Sequence, residues 1–151
     1  KLSESQREKC FDFLTNHPAI EWGVGIISEK IIDQINIWQA TKLAMKQAIA
    51  NLSQEADFLL IDGKFLLDDL PLDQKAMPLA DEKIWSCAAA SIIAKVTRDR
   101  LMKNYHQRFP EYGFSQNKGY GTPAHFLALK KHGASPIHRL SFSPLKNNFS
   151  F

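Results

Sequence analysis

Two aspartates in this sequence follow apolar or loop segments at places where a side chain can reach a ligand. Asp62 ends the apolar run Phe58-Leu59-Leu60-Ile61 and precedes Gly63, and Asp81 follows an acidic loop. Ligands of α/β proteins bind outside the carboxyl ends of the strands, which favours Asp62. Each aspartate alone also fits a turn or a solvated loop. Together they predict a site for a hard divalent cation, Mg²⁺ or Mn²⁺, because neighbouring carboxylates repel each other without one.

A cationic stripe is predicted on the helix that follows these aspartates. Ser91, Lys95 and Arg98 lie at helical positions i, i+4 and i+7, with Met102 at i+11. A solvated helix face would show the same spacing. Beside an acidic metal site, however, Lys95 and Arg98 are suited to hold neighbouring phosphates. We therefore interpret the stripe as a binding surface for a phosphate backbone.

A tyrosine in a glycine-flanked loop adds a second kind of contact. Lys118-Gly119-Tyr120-Gly121 lets the backbone come close to a ligand, and the ring of Tyr120 can stack on a sugar or base. Lys118 and Tyr120 are therefore candidate substrate-binding residues. The alternative for Tyr120 is an ordinary tyrosine at the edge of the core.

The histidines and cysteines indicate structure more than chemistry. No histidine pair has the H-E-x-x-H spacing, so zinc is not expected. His125 and His138 flank the last predicted helix, where they either contact phosphate or, as we favour, stabilise the fold. Cys10 and Cys87 form no C-x-x-C pair and are predicted to be reduced, packed thiols.

The order of the predicted elements is typical of an α/β protein with one core. Hydrophobic spacing, capping residues, glycines and prolines indicate where the elements begin and end. Helices are predicted over residues 3–16, 35–50, 86–105 and 122–133, and strands over 20–27, 58–61 and 76–80, with 58–61 covered on both faces. The change of composition after Pro110 divides a core, residues 1–110, from an appended helical cap and tail, residues 111–151.

Composition limits the classes of protein that this chain can represent. Its 151 residues, 44% of them hydrophobic, are enough for one core and too few for two full domains. A net charge of +3 and a pI near 8.9 permit a polyanionic partner without requiring one. No apolar run is long enough to span a bilayer and no segment resembles a signal peptide, so we expect a cytoplasmic protein with no membrane partner.

Several motifs occur together in one order along the chain. They are Asp62-Gly63, Asp81, Cys87-Ala88-Ala89-Ala90-Ser91-Ile92-Ile93-Ala94-Lys95-Val96-Thr97-Arg98-Asp99, Phe109-Pro110, Tyr112-Gly113, Lys118-Gly119-Tyr120-Gly121-Thr122, His125 and His138-Arg139-Leu140-Ser141-Phe142. This series resembles bacterial ribonuclease HII, and the likeness covers nearly the whole chain.

The resemblance implies a ribonuclease H-like mixed sheet flanked by helices, with a small helical C-terminal cap. It implies an endonuclease that cuts the RNA strand of RNA/DNA hybrids and incises 5′ to single ribonucleotides in duplex DNA, leaving 3′-OH and 5′-phosphate ends. Two Mg²⁺ or Mn²⁺ ions would act across the scissile phosphate. Asp62 and Asp81 match the third and fourth carboxylates of the family, and Tyr120 matches its junction-sensing tyrosine. No obligate protein partner is implied, and the family suggests a monomer.

One departure from the family changes the expectation for this chain. The sequence contains no Gly-x-Asp-Glu-x-Gly-Arg-Gly motif, which supplies two of the four carboxylates and a loop that contacts the 2′-OH; Ala80 also stands where a glycine is usual. We expect an N-terminal segment with the first strands to be missing. Glu4, Glu8 and Asp12, on a helix face, cannot replace that motif. The 151 residues alone are therefore predicted to be inactive, in a complete protein that is a nuclease.

Two other functions fit parts of the sequence. A non-catalytic relative would bind hybrids through Lys95, Arg98 and Tyr120 without cutting them. A DNA-binding module would use the C-terminal segment, in which residues 122–132 and 137–142 faintly suggest a helix-turn-helix. Pro136 and Pro144 restrict the second of these segments, which disfavours a recognition helix there.

Overall fold

The structure, a computed structural model, describes residues 2–147. Helices and strands alternate along these residues as an α/β sequence predicts. In chain order the regular elements are α1 (Glu4–Asn16), α2 (Glu29–Ala50), β1 (Phe58–Asp62), β2 (Asp73–Met77), α3 (Trp85–Arg108), α4 (Phe114–Asn117) and α5 (Pro123–His132). Short 3₁₀ turns lie at Ala80–Glu82, Pro110–Tyr112 and Leu145–Asn147. Residues 148–151, the end of the predicted C-terminal cap and tail, lie outside the described part of the chain.

Contacts between Cα atoms divide the chain into two compact units. The first unit contains the described residues up to Ile26 together with Thr41–Val96, and the second contains Ile27–Ala40 with the described residues from Thr97 onward. Both α2 and α3 contribute residues to each unit. The division of function between residues 1–110 and 111–151 stays a prediction.

The first helix begins where the sequence predicts. The hydroxyl of Ser3 accepts a hydrogen bond from the Gln6 N–H, and the Gln6 side chain accepts one from the Ser3 N–H, so two N-terminal amides are satisfied at once. One face of α1 then places Phe11 against Ile93 and Val96 of α3, which form the buried core of the first unit. This confirms the predicted helix 3–16 and its apolar face.

The strand predicted over residues 20–27 is wrong. Residues 20–28 form neither helix nor strand, and their polar backbone groups bond to side chains of α2 and of the turn after it. Gln47 Oε1 accepts from the Ile26 N–H at 2.9 Å, and Asn51 Nδ2 donates to the Val24 carbonyl at 2.9 Å. The glycines do allow close packing, but against helix backbone: a Cβ at Gly25 would lie 1.8 Å from the Ala44 carbonyl oxygen.

A break in α2 explains why its start was predicted six residues late. Asn36 has φ 66° and ψ 166°, outside the helical region, although helix lies on both sides of it. Its side-chain oxygen accepts from the Trp38 N–H at 2.9 Å and the Gln39 N–H at 3.1 Å, as an N-cap residue does. The predicted helix 35–50 corresponds to the part of α2 that follows this break.

The described residues contain a two-stranded parallel sheet. Phe58 of β1 pairs with Asp73 of β2, and Asp62 pairs with Met77, so both strands end at the same edge. The predicted strand 58–61 is confirmed, but not its cover on both faces, because Phe58 is exposed and only Ile61 is fully buried. The strand predicted over 76–80 instead spans Asp73–Met77, since Leu79 is left-handed and Ala80 already begins a 3₁₀ turn.

The second unit is built around a small aromatic core. Tyr112, Phe114 and Leu129 are buried together, and the last of these lies on α5. As predicted, Thr122 caps α5 through a hydrogen bond from the His125 N–H, Pro123 takes its first position, and the helix ends before Gly133. Asp33 fastens another segment of this unit by accepting from the Leu140 N–H at 2.7 Å and the Ser141 N–H at 3.0 Å.

His125 and His138 lie nearly parallel within this core, and their hydrogen-bond partners determine which nitrogen of each neutral ring carries the proton. Their ring centroids are 5.3 Å apart and their Nε2 atoms 3.4 Å apart. The Ser135 N–H donates to His138 Nδ1 at 3.0 Å, so a neutral His138 carries its proton on Nε2. That proton is directed to His125 Nε2, which leaves the His125 proton on Nδ1, 3.2 Å from the Tyr112 carbonyl oxygen. A positive charge on His138 would set its Nδ1–H against the Ser135 N–H.

Two further features are the state of the cysteines and the hydropathy of the helices. Both cysteines carry free thiols, as predicted, with Cys87 buried and Cys10 half-buried. Among the described residues, no helix combines the length and apolar character needed to cross a bilayer.

The approach of Gly25 to α2 gives a first prediction. Gly25→Ala should lower the free energy of unfolding by about 3 kcal/mol, since the new methyl group would overlap backbone that cannot move aside. Ile26→Ala, at the exposed neighbouring position, is the control and should change it by about 0.5 kcal/mol or less. Urea unfolding followed by circular dichroism measures both; equal effects would show that the close approach is not a real constraint.

The histidine pair predicts a loss of stability in acid. Burial, and then the neighbouring His125, hold the pKa of His138 below its usual value of 6.5. The unfolded chain therefore binds a proton at a higher pH than the folded chain, so this contribution is complete above about pH 6.5 and is lost as the pH falls through the lowered pKa. Urea midpoints between pH 8 and pH 5 should fall less steeply for His138→Phe than for the parent. Leu127→Ala, an exposed substitution in the same unit that removes no titrating group, should keep the parental slope.

Candidate functional site

A single hydrogen bond brings the two candidate metal-binding aspartates together. Asp62 is the last residue of β1, and its Oδ1 accepts from the backbone N–H of Ala80 at 3.0 Å. Ala80 is fully buried and begins the 3₁₀ turn that contains Asp81. Asp81 is therefore adjacent in sequence to a residue that Asp62 binds directly, while the assignment of both carboxylates to one metal site stays a prediction.

The buried thiol of Cys87 reports the charge of the same two aspartates. Cys87 lies at the start of α3, with its Sγ 4.0 Å from the Leu60 carbonyl oxygen. Burial is the larger cause that raises the pKa of this thiol, and the negative charges of Asp62 and Asp81 raise it further. The negative charges of both carboxylates thus reach the same group, the Cys87 thiol.

The two aspartates fit part of a divalent metal site. Carboxylate oxygens suit Mg²⁺ and Mn²⁺, and such ions need six or so oxygen ligands. Asp62 Oδ1 is already engaged by the Ala80 N–H, which leaves Oδ2 and the Asp81 carboxylate to face a cation. Within the part of the chain that the structure describes, no group of three or more His, Cys, Asp or Glu side chains is placed to hold a metal.

The candidate phosphate-binding residues of α3 are divided between the two units. Ser91 is exposed and Lys95 half-buried, and both belong to the first unit together with Asp62 and Asp81. Arg98 is half-buried and belongs to the second unit. Ser91 and Lys95 lie four residues apart on one helix, so they share a face. Their predicted contact with phosphate remains a prediction.

Arg98 and Tyr120 form a contact within the second unit. One guanidinium nitrogen of Arg98 donates to the Tyr120 hydroxyl at 2.9 Å, and the group lies 5.0 Å from the ring centroid. Two other guanidinium nitrogens donate to Asp99 Oδ1, at 3.0 and 3.3 Å. Burial disfavours the charge on Arg98, but these bonds to Tyr120 and Asp99 outweigh burial and raise its pKa.

Tyr120 remains accessible although it is held from one side. Its side chain is 59% exposed, and the structure therefore does not place it at the edge of the core. The ammonium group of Lys118 is turned toward its own segment, where it donates to the Ser115 carbonyl at 2.5 Å. The ammonium group of Lys118 is thus bound to its own segment, whereas the ring of Tyr120 is accessible to a ligand.

Asn117 is a site residue that the sequence analysis did not single out. It is buried, its Oδ1 accepts from the Gly119 N–H at 2.8 Å, and its carbonyl accepts from the Tyr120 N–H at 2.8 Å. The Asn-x-Gly spacing is a signal for such a turn and could have indicated this role. The bond from Asn117 Nδ2 to the Tyr112 carbonyl carries no such signal, because it depends on a contact between separate segments.

The chain is similar to proteins of one family over nearly its whole length. Residues 1–145 match the family model described as Ribonuclease HII. A protein named Ribonuclease HII from Acetivibrio thermocellus is 52% identical over 143 residues, which are 95% of this chain and 55% of that protein. One of the same name from Chlamydia caviae is 51% identical over 97% of this chain and 68% of that protein. The chain therefore spans little more than half of the first relative.

Solved structures agree with this likeness. The crystal structure of the ribonuclease H2 from Pyrococcus horikoshii OT3 matches with a TM-score of 0.75 at 25% identity, over 97% of this chain and 76% of that one. The predicted ribonuclease H-like α/β fold is thereby confirmed. With the family model matched over nearly every residue and relatives about half identical, the chain belongs to the ribonuclease HII family.

Proposed function

We propose that these residues are part of an endonuclease that incises 5′ to ribonucleotides in duplex DNA and cuts the RNA strand of RNA/DNA hybrids, leaving 3′-OH and 5′-phosphate ends. The observation that carries the proposal is the bond from the Ala80 N–H to Asp62, which sets Asp62 beside Asp81 at the carboxyl end of β1. Membership of the ribonuclease HII family supports the reaction class. We expect the protein to act in the cytoplasm without an obligate protein partner.

Asp62 and Asp81 would hold the divalent ions in this proposal. Two Mg²⁺ or Mn²⁺ ions, when bound, would supply an activated water and charge stabilisation at the leaving oxygen. Asp62 contributes one free oxygen and is fixed through the other, so its orientation is set before a ligand arrives. Asp81 follows a buried residue and is held by the backbone of its 3₁₀ turn.

The described residues supply too few ligands for this chemistry by themselves. Two carboxylates cannot neutralise two divalent cations, and no third His, Cys, Asp or Glu joins them in the described part of the chain. We therefore propose that the isolated 151-residue chain is inactive, and that the full protein adds the remaining carboxylates.

The basic and aromatic side chains are assigned to substrate binding. Ser91 and Lys95 on α3 would contact phosphates, which position the duplex without reading its sequence. Tyr120 would stack on a sugar next to the ribonucleotide, since its ring is exposed and held by Arg98. Lys118 would reach a phosphate only after leaving the Ser115 carbonyl.

A non-catalytic role in hybrid binding is the alternative that the incomplete metal site favours. The two functions differ in one measurement on the full protein. A duplex with one embedded ribonucleotide should be cut at that ribonucleotide in Mg²⁺ or Mn²⁺ if the proposal holds. Tight binding without a cut, unaffected by a chelator, would favour the alternative.

Removing either aspartate should abolish incision by the full protein. Asp62→Asn and Asp81→Asn are each expected to lower kcat by about 100-fold or more, because a neutral amide binds a divalent cation weakly. Asp73→Asn is the matched control, since Asp73 is an exposed aspartate at the opposite end of the same sheet. Rates are measured by gel electrophoresis of a labelled duplex. Full activity of Asp62→Asn, or robust cutting by the isolated chain, would contradict the assignment.

The ring and the hydroxyl of Tyr120 should contribute separately. Tyr120→Ala is expected to lower kcat/KM for a single embedded ribonucleotide by about tenfold or more, in line with about 1–3 kcal/mol for one stacking contact. Tyr120→Phe keeps the ring but loses the bond to Arg98, so its loss should be smaller. Wild-type values for both variants would remove Tyr120 from the substrate-binding surface.

A further inference from the structure

The turn that carries Tyr120 has an unfavourable backbone conformation. Lys118 and Gly119 have φ values of 50° and 81°, so two successive residues are left-handed, one of them without the freedom of glycine. The Tyr120 N–H closes the turn on the Asn117 carbonyl at 2.8 Å, as in a type I′ turn. A left-handed lysine persists only where its surroundings determine it, so the turn depends on what holds Asn117.

Asn117 is held at both ends of its side chain. Its Oδ1 accepts from the Gly119 N–H inside the turn, and its Nδ2 donates to the Tyr112 carbonyl at 2.6 Å. The amide orientation follows from these partners, because an N–H must donate and a carbonyl must accept. Asn117 thus links the turn to the buried aromatic core of the second unit.

The Tyr112 carbonyl is shared with the histidine pair. His125 Nδ1 lies 3.2 Å from the same oxygen that accepts from Asn117. His125 Nε2 in turn accepts from His138 Nε2, and His138 Nδ1 accepts from the Ser135 N–H. Because the proton positions of the two rings are linked through their Nε2 atoms, a change at His138 alters the proton on His125 and the oxygen that orients Asn117.

We propose that Asn117, His125 and His138 form a positioning network for Tyr120. The network sets the backbone of the turn, while Arg98 holds the phenol hydroxyl, so the ring is fixed at two points before substrate binds. Asn117, His125 and His138 touch no reacting atom in this arrangement and act only through Tyr120. The proposal rests on the proposed function in assigning ribonucleotide recognition to Tyr120.

The chemistry of the two imidazoles favours this role over metal binding. A metal ligand needs an unprotonated nitrogen, but the Ser135 N–H occupies Nδ1 of His138 and leaves the proton on Nε2. The two rings also lie nearly parallel, with an angle of 20° between their planes. Their hydrogen bonds are complete when both are neutral, which suits a fixed support.

The test uses four single variants of the full protein, together with Tyr120→Ala alone and combined with Asn117→Ala. Asn117→Ala removes both side-chain bonds, and exposed Gln116→Ala, on the same helix, is its matched control. His125→Asn keeps a donor near the position of Nδ1, whereas His125→Gln keeps an acceptor near Nε2 and loses that donor. Hydrogen exchange of the Gly119 and Tyr120 amides measures the turn without reference to activity. The ratio of kcat/KM for an embedded ribonucleotide to that for an RNA/DNA hybrid measures selectivity.

We expect both amides to exchange about tenfold faster or more in Asn117→Ala and in His125→Gln, and less so in His125→Asn. Selectivity should fall about fivefold in Asn117→Ala, and this fall should vanish in a Tyr120→Ala background, because the network acts through Tyr120. Unchanged exchange rates would overturn the network. An equal loss of selectivity in the Tyr120→Ala background would show that Asn117 acts elsewhere and would likewise overturn it.

If the proposed function is wrong, the exchange rates and the selectivity change in a different combination. If Tyr120→Ala itself leaves selectivity unchanged, the assignment of recognition to Tyr120 is wrong, and so is the functional half of this proposal. Exchange rates that still rise in Asn117→Ala would then show that the network holds the turn for a structural reason alone.

Discussion

The hydrogen bond from the Ala80 N–H to Asp62 is the interaction on which the candidate site depends. It joins the end of β1 to the turn after β2, and so it converts two carboxylates that are distant in sequence into neighbours. The donor belongs to a fully buried residue, and a buried N–H without a partner is costly, so the bond also stabilises the turn. The same contact therefore joins two segments of the fold and orients one oxygen of a proposed metal ligand.

In the second unit, too, single polar contacts have more than one role. Its core is small and contains several buried polar groups, among them Asn117, His125 and Ser135. Such groups are tolerated only when each donor has an acceptor. Here the Tyr112 carbonyl is the shared partner of Asn117 Nδ2 and His125 Nδ1. The tautomers of both histidines follow from that requirement. A core of this kind specifies one arrangement of its loops more strictly than an apolar core would, which suits the support of a recognition residue.

The sequence predicted those features that depend on neighbouring residues. The capping box at Ser3, and Thr122 with Pro123 at the start of α5, act within one helical turn, and both predictions are confirmed. The strand predicted over residues 20–27 failed because its alternating pattern does not tell what it packs against. Its partner is the backbone of α2, and that contact needs the folded chain.

The same limit applies to the candidate site, because contacts between separate segments cannot be predicted from the sequence. The pairing of Asp62 with Asp81 was predicted from their positions after apolar or loop segments, and family likeness supported it. The bond to Ala80 was not predictable, because it depends on where β2 ends, and the sequence placed that end three residues too late. Asn117 was overlooked for a similar reason: its importance comes from the Tyr112 carbonyl, which it shares with His125 and which only the fold brings to it.

The contacts of Arg98 indicate a role on α3 other than the phosphate contact that the sequence predicted. The sequence favoured a phosphate contact, but the guanidinium already faces Asp99, which is only 5% exposed, and the Tyr120 hydroxyl. A buried carboxylate needs a partner of opposite charge, so Arg98 compensates Asp99 and has less net charge to offer a phosphate. Its planar group also bonds to both partners at once, which an ammonium group would do with less geometric control. Arg98 is therefore better explained as the support of an exposed tyrosine than as an independent binder of the nucleic-acid backbone.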